Sequence, residues 1–134
     1  MAKKQNYKYG IGKRRAASAR IHLFKGKGES LVNGIPLPKY FSGEVNKTVW
    51  SKPFVLTQTL EKYYVTAKIT GGGKIGQLEA FVQGVAKALV DENPEKFKTA
   101  LKKAGLLTRD ARGRERRKVG MGGKSRRVKQ SPKR

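Results

Sequence analysis

The chain has no cysteine, a single histidine, and only nine Asp and Glu against 32 Lys and Arg. Without cysteine there is no disulfide framework, no thiolate metal site and no Cys nucleophile. With His22 alone, a two-histidine metal site or a Ser-His-Asp arrangement lacks its material. The neighbouring carboxylates Asp91 and Glu92 fall at a predicted helix end and read as a solvated terminus. No stretch approaches the roughly eighteen apolar residues of a membrane span. The N-terminus, Met1-Ala2-Lys3-Lys4-Gln5-Asn6-Tyr7, has no hydrophobic stretch after its lysines. These shortages point away from an enzyme, a metal or cofactor carrier and a membrane protein, toward a soluble chain that is not exported.

What is present is positive charge. The formal net charge of +23 makes a compact isolated protein self-repelling, so a polyanionic partner accounts for it best. The charge is concentrated at the ends. Residues 1–28 carry nine bases and no carboxylate, residues 29–108 eleven bases against seven acids, and residues 109–134 twelve bases against two acids. Most of the bases in the last segment are Arg, whose planar fork of donors suits phosphate oxygens. That segment has no aromatic residue, and its only larger apolar side chains are Val119, Met121 and Val128. Such a composition cannot offset the entropy of ordering itself, so an extended tail is expected after a body of residues 1–108. Its glycines, and its lack of an aromatic or leucine face, argue against a lipid-binding helix.

Along the body, Ala19, Ile21 and Leu23 alternate with Arg20, His22 and Phe24, which predicts a strand ending at Gly26-Lys27-Gly28. A second strand from Glu29 to Val32 is expected to return from that turn as a hairpin. Tyr7 and Tyr9, beside Lys13, Arg14 and Arg15, could stack on bases, but at this spacing they suit one face of an edge strand better. Asn33-Gly34 is a turn dipeptide followed by Pro36 and Pro38, where strand pairing should end. Tyr40, Phe41, Val45, Val49 and Trp50 recur at helical spacing until Pro53, and Phe54, Val55, Leu56 and Leu60 are expected to add to the core. The aromatics Tyr40, Phe41, Trp50 and Phe54 read as core rather than a ligand cage. Tyr63, Val65, Ala67 and Ile69 alternate with polar residues as a half-buried strand. Asn93-Pro94-Glu95 reads as N-cap, first-turn proline and first-turn acid of a helix with Phe97, Ala100, Leu101 and Ala104 on its apolar face. Gly105 stops it, and Leu106 and Leu107 fold back.

The organising stretch is Gly71-Gly72-Gly73-Lys74-Ile75-Gly76-Gln77, between the strand at Tyr63 and a helix predicted to about Leu89. Ile75, Leu78, Val82, Val85 and Leu89 fall on one helical face. Consecutive glycines fit positive φ or a close backbone approach. They could serve phosphate binding at a helix N-terminus, or a tight strand-to-helix turn. Lys74 is followed by Ile75, not the Ser or Thr of a nucleotide-binding loop, so the turn is favoured. Gly84, in mid-helix, costs about 1 kcal/mol relative to Ala and marks close packing.

Gly71, Gly72, Gly73, Gly76, Gln77, Ala80, Gly84 and Ala86-Lys87-Ala88-Leu89 together resemble the signature of the ninth small-subunit ribosomal protein family. Tyr9-Gly10-Ile11-Gly12-Lys13-Arg14-Arg15 with Ser18-Ala19-Arg20 is similar to that family's first strand, and Leu31-Val32-Asn33-Gly34 through Tyr40-Phe41 to its next block. Lys103 through Asp110, with Arg112, Glu115-Arg116-Arg117-Lys118 and Gly120, is similar to its tail entrance. The last residues, Lys129-Gln130-Ser131-Pro132-Lys133-Arg134, and the pair Gly122-Gly123 depart from the family's usual ending, although the terminal Lys-Arg is kept.

The resemblance implies an α/β fold: a two-layer α/β sandwich with a four-stranded mixed sheet, helices on one face, and a long extended basic tail. It implies a non-enzymatic constituent of the small ribosomal subunit, in the cytoplasm or an organelle, with no cofactor and no membrane. The implied partners are small-subunit ribosomal RNA in the head, neighbouring head proteins, and the tRNA in the peptidyl site. The RNA-binding role falls on Lys13, Arg14, Arg15, Arg20, Arg109, Arg112, Arg116, Arg117, Lys118, Lys124, Arg126, Arg127 and Lys129, and the tRNA contact on Lys133 and Arg134. A nucleotide-using enzyme and a DNA-compacting protein are the competing readings of the same glycines and charge.

Overall fold

A computed structural model describes residues 7–120, 122 and 123. β1 (Tyr7–Arg14) and β2 (Ala17–Lys25) form an antiparallel hairpin closed by Arg15-Ala16, with Arg14 opposite Ala17. Alternation in β2 turns Ala17, Ala19, Ile21 and Leu23 inward, as the period-two pattern requires. β5 (Tyr63–Thr70) lies antiparallel on the other edge of β2 and buries Val65, Ala67 and Ile69 on the same side. The helices cover that face.

The segment after Gly28 does not return against β2, because β1 and β5 already occupy both edges of that strand. Instead β3 (Leu31–Val32) runs parallel to β5, beside Thr66 and Ala67. The Asn33 side chain extends the pairing by accepting from Ile69 N at 2.9 Å and donating to Ile69 O at 3.0 Å. Nor does pairing end at Asn33-Gly34. Both residues have positive φ, 52° and 80°, the combination of a type I′ turn, and β4 (Ile35–Pro36) folds back on β3. Pro36 is tolerated because β4 is the edge. The sheet therefore has five strands in the order β1-β2-β5-β3-β4, not the four that the resemblance implies.

After α1 (Leu37–Tyr40), α2 runs from Glu44 to Thr57 and passes through Pro53 instead of ending there. An interior proline costs about 3 kcal/mol, and burial of Trp50, Pro53 and Phe54 on one side of α2 offsets that cost. Phe41, Trp50 and Phe54 are core residues with Tyr40 packed against them. Val55, Leu56 and Leu60, expected in the core, are exposed: Val55 and Leu56 turn away from the α2 face that Phe54 buries.

α3 (Lys74–Glu92) is the centre of the molecule, with β1 and β2 beneath it and α2 and α4 (Pro94–Lys103) beside it. Leu78, Val82, Val85 and Leu89 are buried as predicted, and so are Phe81, Ala86 and Ala88, because the helix is covered on more than one side. Ile75, placed on that face by its spacing, is 72% exposed: it lies in the first turn, where α3 has not yet met its neighbours. α4 follows its sequence signals closely. The Asn93 side chain accepts from Lys96 N at 3.3 Å, Pro94 opens the helix, Gly105 leaves it at φ 74°, and Leu106 and Leu107 pack on the core.

Glycine brings α3 onto the sheet. A Cβ at Gly12 would overlap the Ala80 carbonyl and come within 2.5 Å of Gly84 N, and one at Gly84 would lie 2.6 Å from Ile21 Cγ1. The helix thus rests on the backbone of β1, which is the close packing expected of a mid-helix glycine.

Candidate nucleic-acid interface

The glycine loop is built as a turn. Gly71 and Gly72 have φ 77° and 67°, and both press on the Ala16–Ala17 backbone of the first hairpin, where a Cβ would collide. Gln77 fastens the turn by donating to Gly71 O at 3.0 Å and accepting from the Tyr40 hydroxyl at 2.6 Å. Gly76 passes Arg14 O and the Ala17 methyl, while Gly73 caps α3 in extended conformation. The signature residues Gly71, Gly72, Gly76, Gln77 and Gly84 therefore hold the helix to the sheet; Lys87 lies exposed on α3.

The basic residues separate into three groups. Arg14 is turned inward and nearly buried, with Nε 2.5 Å from Glu79 Oε2 and Nη2 3.5 Å from Asp110 Oδ2. Its Nη1 also donates to the carbonyl of Arg112 at 2.5 Å. It clasps the start of the C-terminal segment to the body. Lys13, Arg15 and Arg20 are exposed at the end of the first hairpin and on β2. Arg109, Arg112, Arg116, Arg117 and Lys118 are exposed along a segment without helix or strand. Lys124, Arg126, Arg127, Lys129, Lys133 and Arg134 lie outside the described residues.

Asp110 sits at the clasp. Side-chain and backbone hydrogen bonds from Arg112, and the charges of Arg112 and Arg14, hold its carboxyl well below the usual carboxylate range. The same pairing raises the Arg112 guanidinium. Where α2, α3 and this segment meet there is a groove of about 640 Å³, along which Val49, Val55, Leu56, Val82 and Leu106 form the apolar wall.

The face of the sheet opposite the helices carries the side chains that alternation turns away from the core. Reading across the β1, β2 and β5 register, its rows are Tyr7, Phe24 and Tyr64; Tyr9, His22 and Thr66; Ile11, Arg20 and Lys68; and Lys13, Ser18 and Thr70. Tyr7 stacks on His22 at 4.3 Å, with Tyr9 tilted against the same ring at 5.5 Å, so the two tyrosines do share one face of an edge strand. Nothing local in the sequence marks Lys68 as part of a cationic site. Its alternation with Val65, Ala67 and Ile69 signals a polar face, but its place beside Arg20 depends on a pairing of strands some forty-eight residues apart. Among the described residues no group of His, Asp and Glu is arranged to hold a metal, and no helix is long and apolar enough to cross a membrane.

An α/β body with helices on one side, the cations Arg20 and Lys68 without a carboxylate partner among the described residues on the other, and a C-terminal segment rich in exposed arginines has the charge distribution that defines the class of polyanion-binding proteins. The chain belongs to the ribosomal protein S9/S16 family, whose model matches residues 12–134. It is accordingly a structural constituent of the small ribosomal subunit, in a family of non-enzymatic proteins that work with ribosomal RNA and other ribosomal proteins.

Proposed function

We propose that the protein sits in the head of the small subunit, with the body of residues 1–108 as its anchor and residues 109–134 as an extended RNA-binding tail whose last two residues, Lys133 and Arg134, touch the tRNA in the peptidyl site. The observation that carries this reading is the aromatic-free segment from Arg109 to Gly120, where the exposed Arg109, Arg112, Arg114, Arg116, Arg117 and Lys118 have only Asp110 and Glu115 between them. Arg14 supports it by clasping the segment near Asp110 and Arg112, so that the rest departs from a fixed point on the body. Fully extended, twenty-two residues beyond Arg112 span at most about 75–80 Å, enough to reach a site remote from the body. Exposed Lys13, Arg15 and Arg20 supply a second set of phosphate contacts at the other end of the chain.

The test separates general RNA affinity from a tRNA contact. Small subunits carrying the intact chain are compared with subunits carrying a chain that ends at Pro132. The expected result is near-normal assembly with weaker peptidyl-site tRNA binding, by at most about 1.5–3 kcal/mol, the net contribution of a charged hydrogen bond, and less where solvent and salt screen it. Unchanged tRNA binding with impaired assembly would make the terminus an anchor on ribosomal RNA instead.

A further inference from the structure

The open sheet face has a feature that the fold itself does not need. Arg20 and Lys68 lie directly opposite each other on β2 and β5, where like charges are destabilising. Among the described residues neither cation has a carboxylate partner, the ion pairs being those of Arg14 and Arg112 with Glu79 and Asp110. The next row places the Ser18 and Thr70 hydroxyls beside them, and the four side chains surround a depression of about 180 Å³. Two cations with two hydroxyls suit one phosphate group. In the other direction, one row from the cations, His22 stands between Tyr7 and Tyr9, and Tyr9 is 43% exposed. Gly28 packs on the ring of Tyr64, and Tyr7, Phe24, His22 and Tyr64 are all half-buried, so Tyr9 is the accessible ring of this face, backed by His22. Adjacent rows on one face are about 6.8 Å apart, two strand residues, so a phosphate between the cations leaves its nucleotide's base within reach of the rings.

We infer that this face seats an unpaired stretch of RNA, a phosphate between Arg20 and Lys68 and its base on the exposed Tyr9 ring. The inference rests on the ribosomal reading and adds which surface meets single-stranded RNA. Stacking on exposed aromatics tolerates any base, and paired A-form RNA keeps its bases out of reach of such a surface. The cations explain attraction, the rings explain a preference for unpaired strands, and the charge repulsion in the free protein is relieved by the ligand.

The test uses the full chain, a single-stranded oligoribonucleotide of about a dozen residues and duplex RNA of the same length. Tyr9→Ala is expected to weaken single-strand binding by about five- to a hundredfold, leave duplex binding within about twofold, and leave the salt slope unchanged; Tyr9→Phe should restore affinity. Arg20→Gln and Lys68→Gln should each reduce the single-strand salt slope by about 1 and raise the melting temperature of the free protein. Equal loss on both RNAs, or no loss, for Tyr9→Ala overturns the stacking. Melting temperatures lowered by both charge variants overturn the phosphate site. Binding of oligoglutamate as tight as RNA, and indifferent to Tyr9, would assign the face to charge alone and overturn the inference. Sedimentation of the variants with small subunits decides the ribosomal reading separately.

Discussion

Gly12 shows how a single missing side chain sets the architecture. Its backbone lies where α3 passes, so Gly12→Ala drives a methyl into the Ala80 carbonyl, an atom that cannot rotate aside. We expect a loss of about 1–3 kcal/mol or more, the range for overpacking a tight core, measured as the midpoint of chemical unfolding. Gly113→Ala, at a glycine with open space around it, should leave that midpoint unchanged. Asp110 gives a second prediction, from pH. Folding lowers its pKa, so its contribution to the clasp is complete above the ordinary carboxylate value of about 3.9 and is lost as pH falls through the lower folded value. The Asp110 carboxyl signal in a nuclear magnetic resonance titration should therefore stay ionised below pH ~3.9. In Arg112→Gln it should move up toward the ordinary value, since Arg112 supplies the largest share of the shift. An unmoved signal would mean that the pairing is absent in solution.

At the scale of elements, what could be read in the sequence was local. The cap, first-turn proline and terminal glycine of α4 are short-range signals, and Asn33-Gly34 marks a turn by its chemistry alone. Asn93→Ala should accordingly cost about 0.5–2 kcal/mol, because it removes the acceptor for Lys96 N; a change within error would assign the start of α4 to Pro94 alone. Strand partners were not readable. Alternation says that residues 19–24 form a strand, but not that β1 and β5 take both its edges and send Leu31–Val32 to β5. Helix limits failed where packing outweighed propensity, as at Pro53, and where an apolar residue such as Ile75 or Val55 fell beyond the reach of its neighbours. The site divides in the same way. Exposed bases of the C-terminal segment follow from composition, whereas the inward turn of Arg14 and the meeting of Arg20 with Lys68 require the folded sheet.

For the whole molecule, charge sets the behaviour. If about eight phosphates are neutralised, log K for ribosomal RNA should fall against log salt with a slope of about −6 to −7; a slope near zero would exclude the electrostatic basis of binding. The family assignment and the two basic ends together make a more specific claim, that this charge is matched to one RNA surface and not to polyanions at large. The measurement that tests it most directly is sedimentation of the full chain from a cell extract at about 0.5 M salt, where screening confines bare charge attraction to a few ångströms. The expected result is that the chain travels with small ribosomal subunits and is not displaced by excess duplex DNA. Release into the free fraction, or transfer to the DNA, would contradict it.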